Sequence, residues 1–135
     1  MIQIRFASIN DVDILAEHDV WIKKAVISKK ISDSHILVAY DGPVFIGWLR
    51  YSLFWDNTPY MNMLHLVEKY RGKGIGKSLV EFWEQEMRGL GYKVVLTSSA
   101  QTELAQHFYV KLGYKAIGSF ILADEPLEII FSKFI

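Results

Sequence analysis

Residues 71–78 read Arg-Gly-Lys-Gly-Ile-Gly-Lys-Ser, and this octet constrains the chain more than any other stretch. It follows an apolar run, Met63-Leu64-His65-Leu66-Val67. A helical pattern starts at once, with Ile75, Leu79, Trp83, Met87 and Leu90 three or four residues apart. The order is strand, glycine-rich turn, helix. Glycine admits positive φ and lets a ligand approach bare amides. The first turn of a helix leaves N–H groups without partners at the positive end of its dipole. Such a junction is an anion site, most often for phosphate or pyrophosphate. Arg71, Lys73 and Lys77 add charge beside it, and a plain tight turn does not need three glycines and three cations.

Three phosphate-loop readings compete. A P-loop, G-x-x-x-x-G-K-[ST], is matched at its end by Gly76-Lys77-Ser78, but Arg71 occupies its first position. A P-loop NTPase also needs an acidic Mg²⁺ ligand at the end of another strand, and the next strand candidate, Val94–Ser98, ends in hydroxyls. A dinucleotide fingerprint needs G-x-G-x-x-G after an early strand. Gly72, Gly74 and Gly76 are instead spaced G-x-G-x-G in mid-chain. The third reading is an acyl-CoA loop. Arg71-x-x-Gly74-x-Gly76 resembles the [Q/R]-x-x-G-x-[G/A] signature of the GCN5-related N-acetyltransferases, the GNAT superfamily.

Composition bounds the alternatives. The 135 residues suffice for one core and are too few for two ordinary domains, so residues 1–135 read as a single domain. A hydrophobic share of 51% argues against disorder. The formal net charge of zero lacks the broad positive footprint of a nucleic-acid binder. With no cysteine there is no disulfide, thiolate nucleophile or thiolate metal site. No His pair has metal-ligand spacing either, so no metal is expected. No apolar stretch approaches the roughly 20 residues of a membrane span, and the N-terminus lacks a signal-peptide layout. A cytoplasmic protein without a membrane partner is expected.

Residues 2–6 alternate as a strand, after which Ser8 or Asn10 can cap a helix with Asp11 and Asp13 in its first turn. Trp21, Ile22, Ala25 and Val26 suggest a second helix ending near Lys29-Lys30. His35–Tyr40 and Val44–Phe54 form a hairpin across Asp41-Gly42-Pro43. Residues 60–67 make the next strand, and the helix after the glycine loop runs to about Gly89 or Gly91. Lys93–Ser98 is a strand. Thr102 is expected to cap a helix carrying Leu104, Ala105, Phe108, Tyr109 and Leu112, stopped by Gly113. Ala116–Leu122 and Glu128–Phe134 close the chain as strands separated by Pro126. The order is β-α-α-β-β-β-α-β-α-β-β.

A second motif strengthens the resemblance. Ala105-Gln-His-Phe108-Tyr109-Val-Lys111-Leu112-Gly113-Tyr114 is similar to the A-x-x-F-Y-x-x-x-G-[FY] helix of the same superfamily, one strand after the loop helix. Two motifs in order, within that element order, cover nearly the whole chain. The resemblance implies an α/β fold with a mixed central sheet and helices on both sides. It also implies an acetyl-CoA-dependent transfer to an amine, on a small molecule or a peptide, and a homodimer is compatible with it. Direct attack in a ternary complex follows from the lack of cysteine to carry the acetyl group.

The resemblance further implies roles for individual residues. The backbone amides of Arg71, Gly72, Lys73, Gly74, Ile75, Gly76 and Lys77 would hold the CoA pyrophosphate. Leu64, Leu66 and Val67, on the strand before the loop, would pair with the pantetheine arm and offer an amide to the acetyl carbonyl. Tyr109 would protonate the departing thiolate, since a phenol with an ordinary pKa near ~10 stays protonated at neutral pH. Its other reading is a helix residue whose hydroxyl reaches outward. Phe108 reads as core.

The strand face that includes Leu66 also carries Leu64, Asn62 and Tyr60, and none is a carboxylate. Asn62 would therefore hold a water that relays the amine proton. His65 falls on the other face and reads as structural, His107 as exposed, and Glu68 as a loop charge or a base. Thr102 stands where many family members have an Asn that contacts the cofactor arm, and would supply part of that hydrogen bonding. The aromatic run from Trp48 to Tyr60 is either an acceptor-pocket wall or half-buried core. Asp56 there is either a ligand for a cationic amine or a turn residue. A non-catalytic acyl-CoA-binding domain and a nucleotide-phosphate-binding protein remain as alternative functions.

Overall fold

The protein was analysed as a computed structural model that describes residues 1–135. Strands β1 (Ile2–Phe6), β2 (Ile36–Asp41), β3 (Val44–Phe54), β4 (Thr58–Leu66), β5 (Val94–Ala100), β6 (Lys115–Phe120) and β7 (Glu128–Phe134) alternate with helices α1 (Val12–His18), α2 (Lys24–Ser32), α3 (Ile75–Gly89) and α4 (Ala105–Lys111). This is the expected element order. The strands form one mixed seven-stranded sheet in the order β1-β2-β3-β4-β5-β7-β6. β4 and β5 are parallel, registered at Tyr60↔Leu96 and Met61↔Thr97. The β1–β2, β2–β3, β5–β7 and β6–β7 pairs are antiparallel. No helix is long and apolar enough to cross a membrane.

The chain divides into two compact units, residues 1–51 with 63–83 and residues 52–62 with 84–135. In the first unit, Ile36, Val38 and Trp48 project from one sheet face onto Leu15 of α1 and Ile27 and Ile31 of α2. Tyr51 is three residues from Trp48 and so belongs to the opposite face, where its ring meets Trp83 of α3 at 5.8 Å. Helices thus cover both faces, as strict alternation along a doubly buried strand requires.

The start of α2 and the end of β6 differ from expectation. α2 begins at Lys24, and Trp21 lies in the turn before it with 64% of its surface exposed. The turn is fixed by Asp19, whose buried carboxylate accepts from Trp48 Nε1 (3.1 Å) and Arg50 Nε (2.7 Å) and so leaves the helical path. β6 ends at Phe120, its last pair with β7 being Phe120↔Glu128, so Ile121 and Leu122 belong to the connection.

A second buried carboxylate ties β1 and β2 to the turn before α1. Asp11 accepts from Arg5 Nη1 at 2.7 Å, the Ser8 amide at 2.7 Å and the Tyr40 hydroxyl at 2.7 Å. Burial by itself would raise its pKa. Hydrogen bonds from Arg5, Ser8 and Tyr40 outweigh burial and hold it at about 2, below the ordinary 3.8. A lowered carboxylate pKa stabilises the fold above the unfolded value and loses that contribution as pH falls toward the folded one. Asp11→Asn is therefore expected to cost about 1–3 kcal/mol at neutral pH. It should also flatten the fall in melting temperature between pH 4 and 2, as read by thermal unfolding across that range.

Candidate active site

The glycine loop lies in the first unit. β4 ends at Leu66, Val67 N–H bonds Ile46 O at 2.8 Å, and one 3-10 turn, Glu68–Tyr70, leads into the loop. Gly72 and Gly74 have φ of +73° and +84°, which an L side chain rarely adopts, and open space surrounds the position of a Cβ at each. Backbone conformation, not crowding, selects these two glycines. Gly76 is different: it is buried inside the first turn of α3.

Ser78 N–H is the first α3 amide to bond, reaching Gly74 O at 3.1 Å. The amides of Ile75, Gly76 and Lys77 precede it and have no helical carbonyl to meet. Ser78 Oγ also donates to Gly74 O (3.1 Å), so the hydroxyl that a P-loop would offer to Mg²⁺ is turned onto its own helix. Arg71 Nε folds back onto Leu66 O at 2.9 Å. Lys73 Nζ lies 5.6 Å from the centre of the Tyr70 ring, and Lys77 is exposed. The loop carries cations and bare amides and no carboxylate, a donor set that fits a pyrophosphate.

Beneath the end of β4, Gly47 of β3 permits close approach. A Cβ there would lie 2.5 Å from His65 O and 2.6 Å from Leu66 Cδ2. Leu64 and Leu66 are half-buried. His65 packs on Trp48 with ring centres 4.9 Å apart. Burial, Arg71 and His18 lower its pKa, against a smaller opposing effect of Asp19, so the ring is neutral at neutral pH.

Tyr109, Asn62 and Thr102 lie in the second unit. Tyr109 projects from α4 with 6% of its surface exposed, against Phe131 at 6.1 Å and Tyr114 at 5.8 Å. Its hydroxyl therefore does not reach outward. It lies beside the Thr97 side chain, whose Oγ1 donates to Met61 O at 3.1 Å. Met61 and Thr97 are a registered pair of β4 and β5, so the phenol sits where these parallel strands meet. Burial pushes its pKa up to about 12; Thr97 opposes this, and Glu103 and Glu128 reinforce it. The group is thus held protonated. Tyr114 OH and Lys133 Nζ, at 2.7 and 3.0 Å, converge on the buried Glu84 and lock α3 to β7 behind it.

Asn62 is exposed, and its neighbours on β4 and β5 alternate across the sheet. Met61, Thr97 and Phe131 take the Tyr109 face. Tyr60 is registered with Leu96, and Ser98 with Ile130, on the other face. There Tyr60, Asn62, Ser98 and Ile130 line a pocket of about 520 Å³ with Ser52, Leu53, Phe54, Trp55 and Phe120. Asn62 and Tyr109 are thus on opposite sides of the Met61–Thr97 pair. The aromatic run divides as well: Trp48 and Tyr51 are buried core, while Phe54, Trp55 and Tyr60 form pocket wall. Asp56 is a turn residue with φ of +63°.

Thr102 does not cap α4. The helix starts at Ala105 with Leu104 as its N-cap residue, and Thr102 lies exposed in the preceding turn. That turn is closed by Gln106 Nε2, which donates to Gln101 O (2.8 Å) and Glu103 O (3.1 Å), so the chain enters the helix two residues later. Phe108 is half-buried, edge-on to Tyr109 at 5.4 Å, and His107 is exposed. Sequence reading missed Thr97 as the partner of Tyr109, and Glu128, whose Oε2 accepts from Ser98 Oγ at 2.7 Å. The hydroxyls closing Val94–Ser98 were a signal for Thr97 and Ser98; nothing local marked Glu128.

Residues 6–114 match the acetyltransferase (GNAT) family, and the chain belongs to it. The mycothiol acetyltransferase of Corynebacterium glutamicum (strain R) is 29% identical over 99 residues, which make up 69% of this chain and 32% of that protein. The chain thus spans about a third of the length of the curated relative it matches. Among solved structures, Ard1 from Thermoplasma volcanium superposes with a TM-score of 0.86 at 16% identity, covering 99% of this chain and 97% of the other. The PaiA N-acetyltransferase from Thermoplasma acidophilum, solved in complex with coenzyme A, gives 0.76 at 20% identity over 100% and 99% of the two chains.

The buried state of Tyr109 is open to direct titration. The difference between the alkaline phenolate titrations of wild type and Tyr109→Phe should show one phenol ionising at about 12. Ionisation near the ordinary ~10 would instead place the ring in solvent.

Proposed function

We propose that residues 1–135 act as one acetyl-CoA-dependent N-acetyltransferase domain that transfers the acetyl group to a primary amine by direct attack in a ternary complex. The observation that carries this reading is the buried, protonated Tyr109 phenol beside Thr97, where β4 and β5 pair. In this reading the amides of Gly72, Lys73, Gly74, Ile75, Gly76 and Lys77 hold the pyrophosphate, aided by the lysine charges; the Arg71 amide, expected to join them, is committed to Glu68 O at 3.1 Å. Leu64, Leu66 and Val67 offer backbone to the pantetheine arm, and an amide there stabilises the oxyanion. Complexes with coenzyme A among similar folds support this use of the loop.

The amine nitrogen attacks the thioester carbonyl carbon, and the tetrahedral adduct collapses with breakage of the C–S bond. Tyr109 gives its proton to the departing sulfur, and the amine proton leaves to water held by Asn62. Tyr109 then regains a proton from solvent. Burial keeps the phenol protonated, so its proton is available as charge develops on the sulfur. Thr102, exposed in its turn, is left with at most an outer contact to the cofactor arm.

Acetyl-CoA is expected to raise the melting temperature by binding the native state, while ATP-Mg²⁺ leaves it unchanged. Initial-rate patterns with acetyl-CoA and a verified amine should intersect. The exposed pair Lys73→Glu with Lys77→Glu should weaken acetyl-CoA binding at least about tenfold without unfolding the chain. An unchanged affinity would remove the loop from the cofactor site. Tyr109→Phe keeps the ring and should lower kcat by roughly 10²–10⁴ with acetyl-CoA affinity little changed. Wild-type turnover in that variant, with chemistry rate-limiting, would end its role as proton donor.

A further inference from the structure

We propose that the pocket lined by Phe54, Trp55, Tyr60 and Ser98 is the acceptor site and selects a small monoamine: one ammonium group on an uncharged, apolar body, with Glu128 as its counter-ion. This rests on the acetyltransferase reading and names the substrate class for it.

Three independent observations converge. The first is charge. None of the nine lining residues is charged. Behind the lining stands the Glu128 carboxylate, half-buried at the start of β7, which accepts from the pocket residue Ser98 at 2.7 Å. Burial raises the pKa of Tyr60 in the pocket wall, Ser98 opposes this, and the Glu128 charge adds to it. The fully buried carboxylates each meet an arginine or a lysine: Asp11 meets Arg5, Asp19 meets Arg50 and Glu84 meets Lys133. Glu128 has no basic group within ion-pair distance. A half-buried anion backed by a hydroxyl and lacking a cation is matched by a cationic ligand.

The second observation is surface. Phe54 meets Trp55 at 4.8 Å and Tyr60 at 6.1 Å, so three rings form one continuous wall. Ring faces attract an ammonium and cover an apolar body. A polycation would need further carboxylates, and the lining supplies none; a carboxylate-bearing amine would face Glu128 with like charge. The volume of about 520 Å³ is that of a small-molecule site.

The third is strain. Trp55 and Asp56 form the β3–β4 turn with φ of +54° and +63°. For a bulky side chain this region costs of order 1–3 kcal/mol, which Gly or Asn at the same place would avoid. The strained Trp55 is 80% exposed, so no core contact repays the cost. What the turn gains is an indole ring on the pocket.

Amine binding can be read from calorimetry or tryptophan fluorescence without any turnover. Benzylamine should bind at least about tenfold more tightly than spermidine, glycine or the uncharged isostere benzyl alcohol. Glu128→Gln should lose at least about tenfold in benzylamine affinity. Trp55→Gly should also weaken it while its melting temperature stays at or above that of wild type, a combination that a structural role for Trp55 would not give. Tighter binding of spermidine or glycine, equal binding of benzyl alcohol, or an unchanged Glu128→Gln affinity overturns the proposal. The isostere comparison uses wild type alone, so it decides the matter even if a variant does not fold. The acetyltransferase reading fails separately: acetyl-CoA would then give no thermal shift, and no amine would release free CoA.

Discussion

One hydrogen bond, Thr97 Oγ1 to Met61 O at 3.1 Å, organises the second unit of this protein. It fastens β4 to β5 at a parallel pair, and side-chain alternation then does the rest. One residue along, Asn62 and Ser98 turn to the opposite face and join the pocket. Thr97 itself, with Phe131, meets Tyr109. Slipping β4 by one residue would send the apolar Met61 to the pocket side and Asn62 away from it. Tyr109 and the pocket lined by Tyr60, Asn62 and Ser98 are thereby placed on opposite sides of a single strand pair.

Charge plays a parallel part in the first unit. Asp19 and Asp11 are both nearly inaccessible, and each gathers donors from elements far apart in sequence. Such carboxylates add little net stability over an apolar core, but removing one partner leaves the rest unsatisfied, so they fix the arrangement of α1 on the first strands. The glycine loop follows the opposite rule. Past Arg71, whose amide bonds Glu68 O at 3.1 Å, the amides from Gly72 to Lys77 have no backbone partner, and the conformation is secured by the positive φ of Gly72 and Gly74 and by Arg71 Nε bonding back to Leu66. An anion arriving there meets preset donors and has little chain to order.

Much of this was legible in the sequence, because periodicity and glycine placement are local signals. The order of strands and helices, the loop–helix junction and the Phe108-Tyr109 helix all followed from spacing and motif. Other features depend on contacts between distant residues. The start of α2 is decided by Asp19 finding Trp48 and Arg50, some thirty residues away, which no local pattern in Trp21–Val26 reveals. Thr102 has good capping chemistry, yet Gln106 closes the turn from inside the helix and moves the start to Ala105. The aromatic run read two ways because it is two things: Trp48 and Tyr51 fill the core, and beyond Ser52 the same strand becomes pocket wall. Glu128 carries no motif at all; its relevance appears only when β7 pairs with β5 and brings it to Ser98.

The central claim is that the unpaired amides at the start of α3 are the seat of the cofactor pyrophosphate. Backbone hydrogen exchange with and without acetyl-CoA tests it most directly, since it reads those amides themselves. The account predicts that saturating acetyl-CoA slows exchange at Gly74, Ile75, Gly76 and Lys77, which lack helical partners in the free protein. Protection that appears elsewhere in the chain while these four amides exchange as fast as before would contradict it.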